Sequence, residues 1–312
     1  NTTNPKVGFS WNITKSLMIR ASYGTGFKAP QLKDLYAAES DGFPSFIDEV
    51  ACKAQKDAGL ENTPACNPQQ WAVKSVGNDN LEQETAETMN FGIVYQPNMR
   101  NSFGFDIWRT NLDNIVGINY QQLTQFELEN GQAALEDLGI EVIRDSTGLI
   151  QLIDAPLLNL ASLETSGIDI STRFALSNNF NVSITHSHLF YYRNEGFPGT
   201  GFENQLRRNG LPSWRNNLTL NYRKGNFNAS LANITIGEHE KAVPEQGDIP
   251  AYTESHLNFG YSLSRNTSFT LGVQNVFKTT PPLDDSNQNS QLNTALYNPR
   301  GQSVFVGLQQ RL

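Results

Sequence analysis

"MNFGIVYQPNMRNSFGFDI", residues 89–107, is the stretch on which the fold turns. Met89, Phe91, Ile93 and Tyr95 occupy alternate positions, and beyond QPNMRN the alternation resumes at Phe103, Phe105 and Ile107. A period of two marks a strand with one apolar face, and two such runs across a short turn predict a β-hairpin. Tyr95 and Phe103 flank the turn on the apolar face, so the hairpin carries aromatic rings at one height.

The pattern repeats on both sides of this hairpin. Val7, Phe9, Trp11 and Ile13 precede Leu17, Ile19, Ala21 and Tyr23; Ile168, Ile170, Thr172 and Phe174 precede Phe180, Val182 and Ile184. Leu218, Leu220 and Tyr222 lead to Phe227, Ala229 and Leu231; Leu257, Phe259 and Tyr261 lead to Phe269, Leu271 and Val273; Val304, Val306 and Leu308 stand alone at the end. Five hairpins and a final strand make eleven strands. No charge falls on these apolar positions, whereas the opposite face carries Arg20, Asp106, Asp169, Arg173, Arg215 and Glu254.

Composition agrees with alternation rather than a thick core. The 312 residues are only 38% hydrophobic, yet they include 18 Phe, 10 Tyr and 4 Trp. No stretch approaches the ~18 consecutive apolar residues of a spanning helix. A net charge of -8 without a basic stripe excludes a nucleic-acid partner.

A soluble sandwich and a membrane barrel both separate apolar from polar faces. Two features select the barrel. Short turns alternate with long excursions at 27–84, 112–162, 192–210, 237–250 and 278–301, the asymmetry of outer-membrane barrels. Aromatic residues also flank four short turns on the apolar face: Tyr95 and Phe103, Phe174 and Phe180, Tyr222 and Phe227, Tyr261 and Phe269. Rings at a common height form an interfacial girdle. The expected fold is an all-β, transmembrane antiparallel β-barrel with periplasmic short turns and extracellular loops. Single-chain bacterial barrels have even strand counts, so further strands are expected before Asn1. The chain also starts inside a strand without an initiator Met, as a piece of a longer protein would.

Five segments together resemble the TonB-dependent outer-membrane receptors. RASYGTGFKAPQLKDLY (20–36) is similar to the family's barrel signature, and DNLEQETAETMNFGIVY (79–95), with Asn80, Leu81 and Glu84, to a strand entry. LETSGIDI (163–170), LGVQNVFK (271–278) and NPRGQSVFVGLQQRL (298–312) resemble later strands in the right order. The family's barrels have 22 strands around a plugged lumen, which would make these strands 12–22. The resemblance implies active import of a scarce ligand such as a ferric siderophore, energised by TonB-ExbB-ExbD through a plug domain that is not in this chain. Oligosaccharide, peptide or cobalamin uptake remain alternatives, as do a passive channel and a surface-binding scaffold. The expected surroundings are the lipid of the bacterial outer membrane. Leu312 departs from the family's usual terminal aromatic residue. No histidine lies between the boxes at Phe27–Pro30 and Asn80–Leu81, which disfavours haem as the ligand.

Cys52 and Cys66, close together in a polar loop, favour a local disulfide over two free thiols. Ligand selection is expected in the long loops, because a rigid scaffold leaves recognition to its loops. The candidates are Phe43, Phe46 and Trp71 in the first long loop, and Tyr191, Tyr192, Arg193, Phe197, Phe202, Arg207 and Arg208 in the third. Aromatic platforms with guanidinium groups suit an anionic chelate or a sugar ring. Segment 112–162 reads as a short helix and a hairpin around Asp145–Gly148 that extends the wall outward and shields the vestibule. His186 and His188 share a strand face and mark its outer end rather than a metal site; Asp284 and Asp285 lack the spacing of a calcium loop. No catalytic constellation, resident metal or cofactor is expected.

Overall fold

The computed structural model describes residues 3–60, 64–208, 210–242, 246–286 and 291–310; the expectation about Leu312 falls outside them. Eleven long strands form the wall: Lys6–Asn12, Leu17–Lys28, Glu84–Asn98, Asn101–Val116, Asn159–Ala175, Phe180–Glu195, Trp214–Lys224, Phe227–Ile236, Tyr252–Ser262, Thr267–Gln274 and Ser303–Gln310. Each pairs antiparallel with the next, and the first and last are the sheet's open edges among the described residues. The eleven strands expected from alternation are these eleven. Their ends run further than alternation showed: the second continues through Gly24 and Gly26 to Lys28 before the helix Leu32–Tyr36.

Register explains the girdle. Tyr95 lies opposite Phe103, Phe180 opposite Tyr222, Phe227 opposite Tyr261, and Tyr261 opposite Phe269. Cross-strand aromatic contacts therefore run from hairpin to hairpin near the short-turn rim. The apolar face above them is exposed: Phe9 is 58%, Phe91 43% and Val306 66% accessible. An apolar surface spanning a whole sheet is untenable in water and calls for lipid.

The polar face is held by pairs that cross strands. Arg20 Nε and Nη2 donate to the two carboxylate oxygens of Asp106 at 3.0 and 2.6 Å. These residues sit on the second and fourth wall strands, and Gly92 of the third lies between them. A Cβ at Gly92 would lie 2.1 Å from Asp106 Oδ1, so glycine is what lets the ion pair pass over the strand. Alongside, Asp169 accepts from Trp108 Nε1 at 2.9 Å and from the Ser187 hydroxyl at 2.5 Å.

The buried core lies in the loops rather than the wall. Phe46, Trp71, Val73, Leu123, Leu135, Ile140, Val142, Ile150, Ile153 and Phe197 form one apolar cluster. It is roofed by a separate four-stranded sheet of Ser40–Gly42, Val73–Val76, Ile150–Pro156 and Glu141–Arg144. The hairpin expected around Asp145–Gly148 is present, with Gly148 N–H donating to Asp145 O at 3.0 Å. It does not extend the wall. Ile153–Pro156 pairs parallel with Val73–Val76 of the preceding long loop, because that pairing buries both strands on the shared cluster. The short helix expected in this segment is instead two helices, Tyr120–Asn130 and Gln132–Glu136.

An ion triad locks these two loops together. Arg144 reaches Asp48 at 2.7 Å and Glu127 at 2.8 Å; Asp48 and Glu127 are buried, and Asp48 also caps the helix Glu49–Asp57 by accepting from Ala51 N–H. Removing the cation leaves two buried carboxylates without compensation, which costs about 3–5 kcal/mol. Arg144→Met is therefore expected to open the loop module selectively. Hydrogen exchange in residues 142–153 should accelerate while the wall strands keep their protection.

Candidate functional site

The site is built on the polar face where the fifth and sixth wall strands meet the long loops. A cleft of about 590 Å³ is lined by Ile115, Leu163, Leu211, Tyr192, Asn194, Arg208 and their neighbours. Its lining combines aliphatic side chains with a phenol, amides and one guanidinium. Arg208 lies 3.6 Å from Glu240 and is half-exposed, so its charge is only loosely engaged. Asn194 Oδ1 is buried without a hydrogen-bond partner among the described residues. This mixture can stack an aromatic group, accept a donor and neutralise an anion.

Strand register divides Tyr191, Tyr192 and Arg193 between two faces. Tyr192 is opposite Thr165, which shares the polar face with Asp169; Tyr191 is opposite Ser166 and Arg193 opposite Glu164, on the apolar side with Ile168. A bulge at Phe190 sets this parity, since Gly167 pairs with Leu189 and Ser166 with Tyr191. Arg193 is occupied on that side. It donates to Glu164 at 2.6 and 2.9 Å and lies 5.0 Å over the Tyr191 ring and 5.3 Å over the Phe202 ring.

The other expected residues separate as well. Phe46, Trp71 and Phe197 are in the loop core, at 4%, 8% and 0% exposure, and a ligand could not reach them without unpacking it. Phe46 stacks on Tyr120 at 5.6 Å, Trp71 Nε1 donates to Phe46 O, and Phe197 meets Phe126 at 4.6 Å. Their proposed contact with a ligand is corrected to core packing, because these large apolar rings gain more from burial than from waiting in water. Phe43 is exposed at 63% on the outside of the loop module. Arg207 pairs with Asp248 at 2.5 Å and braces two loops. Asn119, Asn194 and Gln205 join the cleft without having been singled out from sequence; amides in polar loops carry no pattern that would distinguish them.

Loop straps account for the remaining polar groups. His239 Nδ1 faces the Glu240 carbonyl at 3.0 Å and so must donate, which leaves Nε2 to accept from the Tyr297 hydroxyl at 3.0 Å. Asp285 is tied to Lys241, whose hydrogen bond and charge hold its carboxyl below the ordinary range. Asp284 accepts from Ala242 N–H and from Ser286. His186 and His188 stack on each other at 6.4 Å beside Trp214 and Phe190. Among the described residues no group of three or more His, Cys, Asp or Glu could hold a metal ion.

The sequence profile described as "TonB dependent receptor-like, beta-barrel" matches residues 1–276. The chain belongs to the TonB-dependent receptor family. Solved structures agree on the fold. A variant of the ferric enterobactin receptor PfeA from Pseudomonas aeruginosa superposes with TM-score 0.66 at 13% identity, over 98% of this chain and 40% of that one. The siderophore receptor PirA from Acinetobacter baumannii gives 0.64 at 14%, over 98% and 40%. The copper transporter OprC gives 0.57 at 12%, over 98% and 38%. Among curated proteins no sequence relative matches. This TonB-dependent receptor chain thus spans about 40% of the PfeA chain it resembles. Family membership makes it an outer-membrane β-barrel chain.

The receptor's expected disulfide is formed. Cys52 and Cys66 are bonded, with Cα atoms 4.7 Å apart, and Cys52 is buried against Ala51 and Ala65. A bridge closing a loop of this size contributes about 3 kcal/mol. Replacing both cysteines by serine should therefore raise proteolytic cleavage between residues 46 and 71 in the intact receptor, with unchanged heat-modifiable migration of the barrel.

Proposed function

We propose that this chain forms strands 12–22 of a 22-stranded receptor barrel that imports an anionic iron chelate, most simply a ferric siderophore. Long loops would face the medium and short turns the periplasm. The chelate would be captured at the lumen-facing cleft of Tyr192 and Arg208, whose combination of an aromatic ring and a loosely engaged guanidinium carries this reading. That PfeA and PirA are named as receptors for ferric enterobactin and siderophores supports the ligand class. Phe43 and Phe202, both exposed, would make outer contacts. Energy would arrive from TonB-ExbB-ExbD through a plug in the whole protein, docked on lumen groups such as Arg173 and Arg215. Transport of this kind needs no catalytic residue.

In the full-length receptor, Tyr192→Ala and Arg208→Ala should each weaken chelate binding. A lost charged hydrogen bond is worth about 1.5–3 kcal/mol, roughly ten- to a hundredfold in Kd. Arg193→Ala should leave binding unchanged, since its guanidinium is engaged on the other face. Labelled-iron uptake in a deletion strain decides the substrate. If uptake of every ferric chelate persists while that of an oligosaccharide, peptide, cobalamin or copper falls, the chelate reading is wrong; if all uptake persists, a scaffold role replaces transport.

A further inference from the structure

The short-turn rim carries a one-sided charge that neither the wall nor ligand capture requires. The chain has 31 acidic and 23 basic residues, yet the five short turns and their flanking strand ends hold Lys15, Arg100, Arg223, Lys224 and Arg265 without one Asp or Glu. Along the wall strands no acidic residue lies within five residues of any of these turns, and Glu254 is the one acidic residue on the rim side of the Asp106–Asp169 row by register among the described residues. All five side chains belong to exposed residues, and none makes an ion pair among the described residues. The paired cations of the wall, such as Arg20 and Arg109, all lie at or above that row.

The turns form one continuous edge. Gln96 N–H donates to Ser16 O at 2.7 Å, Arg223 N–H to Asn179 O at 2.7 Å, and Ser262 N–H to Asn226 O at 2.9 Å. Arg100 bridges its own turn to the next through Asn178 Oδ1 at 2.8 Å and Ser177 O. Exposed apolar side chains are interleaved with the cations: Ile13 with Lys15, Met99 with Arg100, and Leu263 with Arg265, with Met99 94% accessible. Lys224 stands on the apolar face two residues beyond Tyr222, directly opposite Phe227 of the aromatic girdle. A shallow polar concavity of about 200 Å³ opens beside Arg265, lined by Ser264, Asn266 and Gln309.

We propose that this rim binds anionic phospholipid headgroups, with the basic side chains on the phosphates and the apolar turn residues in the adjoining acyl layer. Unpaired cations alone would equally attract an acidic protein. Their alternation with exposed apolar residues, directly below an aromatic girdle, places them at the depth of a headgroup layer and favours lipid. Each such cation contributes on the order of fivefold to anionic-lipid preference, and salt screens it. The inference uses the barrel's membrane setting and does not depend on which ligand is imported.

The test uses the full-length receptor in vesicles of equal parts phosphatidylethanolamine and phosphatidylglycerol, counting lipids retained after mild detergent extraction by mass spectrometry. Wild type should retain phosphatidylglycerol at least several-fold over phosphatidylethanolamine, less so at high salt. The triple variant Lys15→Gln, Lys224→Gln, Arg265→Gln should bring the two near parity; Arg100 is spared because it joins two turns. A control with Lys33→Gln, Lys56→Gln and Arg300→Gln at the long-loop end should keep the preference, and heat-modifiable migration verifies that both variants fold. No preference in wild type, an unchanged preference in the triple variant, or an equal loss in the control would overturn the proposal. So would rim-dependent, salt-sensitive binding of an acidic polypeptide without any lipid preference, which would make the rim a protein-docking surface.

Discussion

Everything in the wall depends on the backbone being satisfied where no water can help. In hydrocarbon each unpaired N–H or C=O costs several kcal/mol, so a spanning chain must pair every strand on both sides. The uninterrupted antiparallel order of the eleven wall strands meets this requirement everywhere except at its two edges, Lys6–Asn12 and Ser303–Gln310. Side chains are then free to differ by face. Phe9, Phe91 and Val306 remain uncovered on one face, as a barrel wall in an outer membrane allows, and Arg20 and Asp106 pair their charges on the other.

The loops solve the opposite problem. Outside the bilayer, apolar residues must be buried again, and the first three long loops do so jointly around Phe46, Trp71, Leu123, Ile153 and Phe197. The Asp48–Arg144–Glu127 triad and the Cys52–Cys66 bridge fix that assembly from its charged and covalent sides. Its consequence for function is selective. Aromatics that would make good ligand platforms are consumed as core, while Tyr192 and Arg208 remain at the lumen cleft.

The two rims differ in the same sense. Towards the long loops several wall and loop cations have carboxylate partners, as Arg193 has Glu164 and Arg207 has Asp248. At the short turns Lys15, Arg100, Arg223, Lys224 and Arg265 are exposed and have no acidic partner among the described residues. A barrel chain with an overall negative charge thus concentrates uncompensated positive charge at one edge.

Sequence by itself determined the elements. Alternation of period two is local, so it gave the eleven strands, their hairpins, the charge-free apolar face and the aromatic girdle, and the short Cys52 to Cys66 spacing gave the disulfide. Tertiary structure alone decided what depends on distant partners. The parallel pairing of Val73–Val76 with Ile153–Pro156 joins loops that look independent in sequence. The bulge at Phe190 is subtler: counted in twos from Phe180, Tyr192 would face lipid and Arg193 the lumen, and one unopposed residue reverses them. A strand's parity is a running count, and where that count slips is set by the neighbouring strand, not by the strand's own residues.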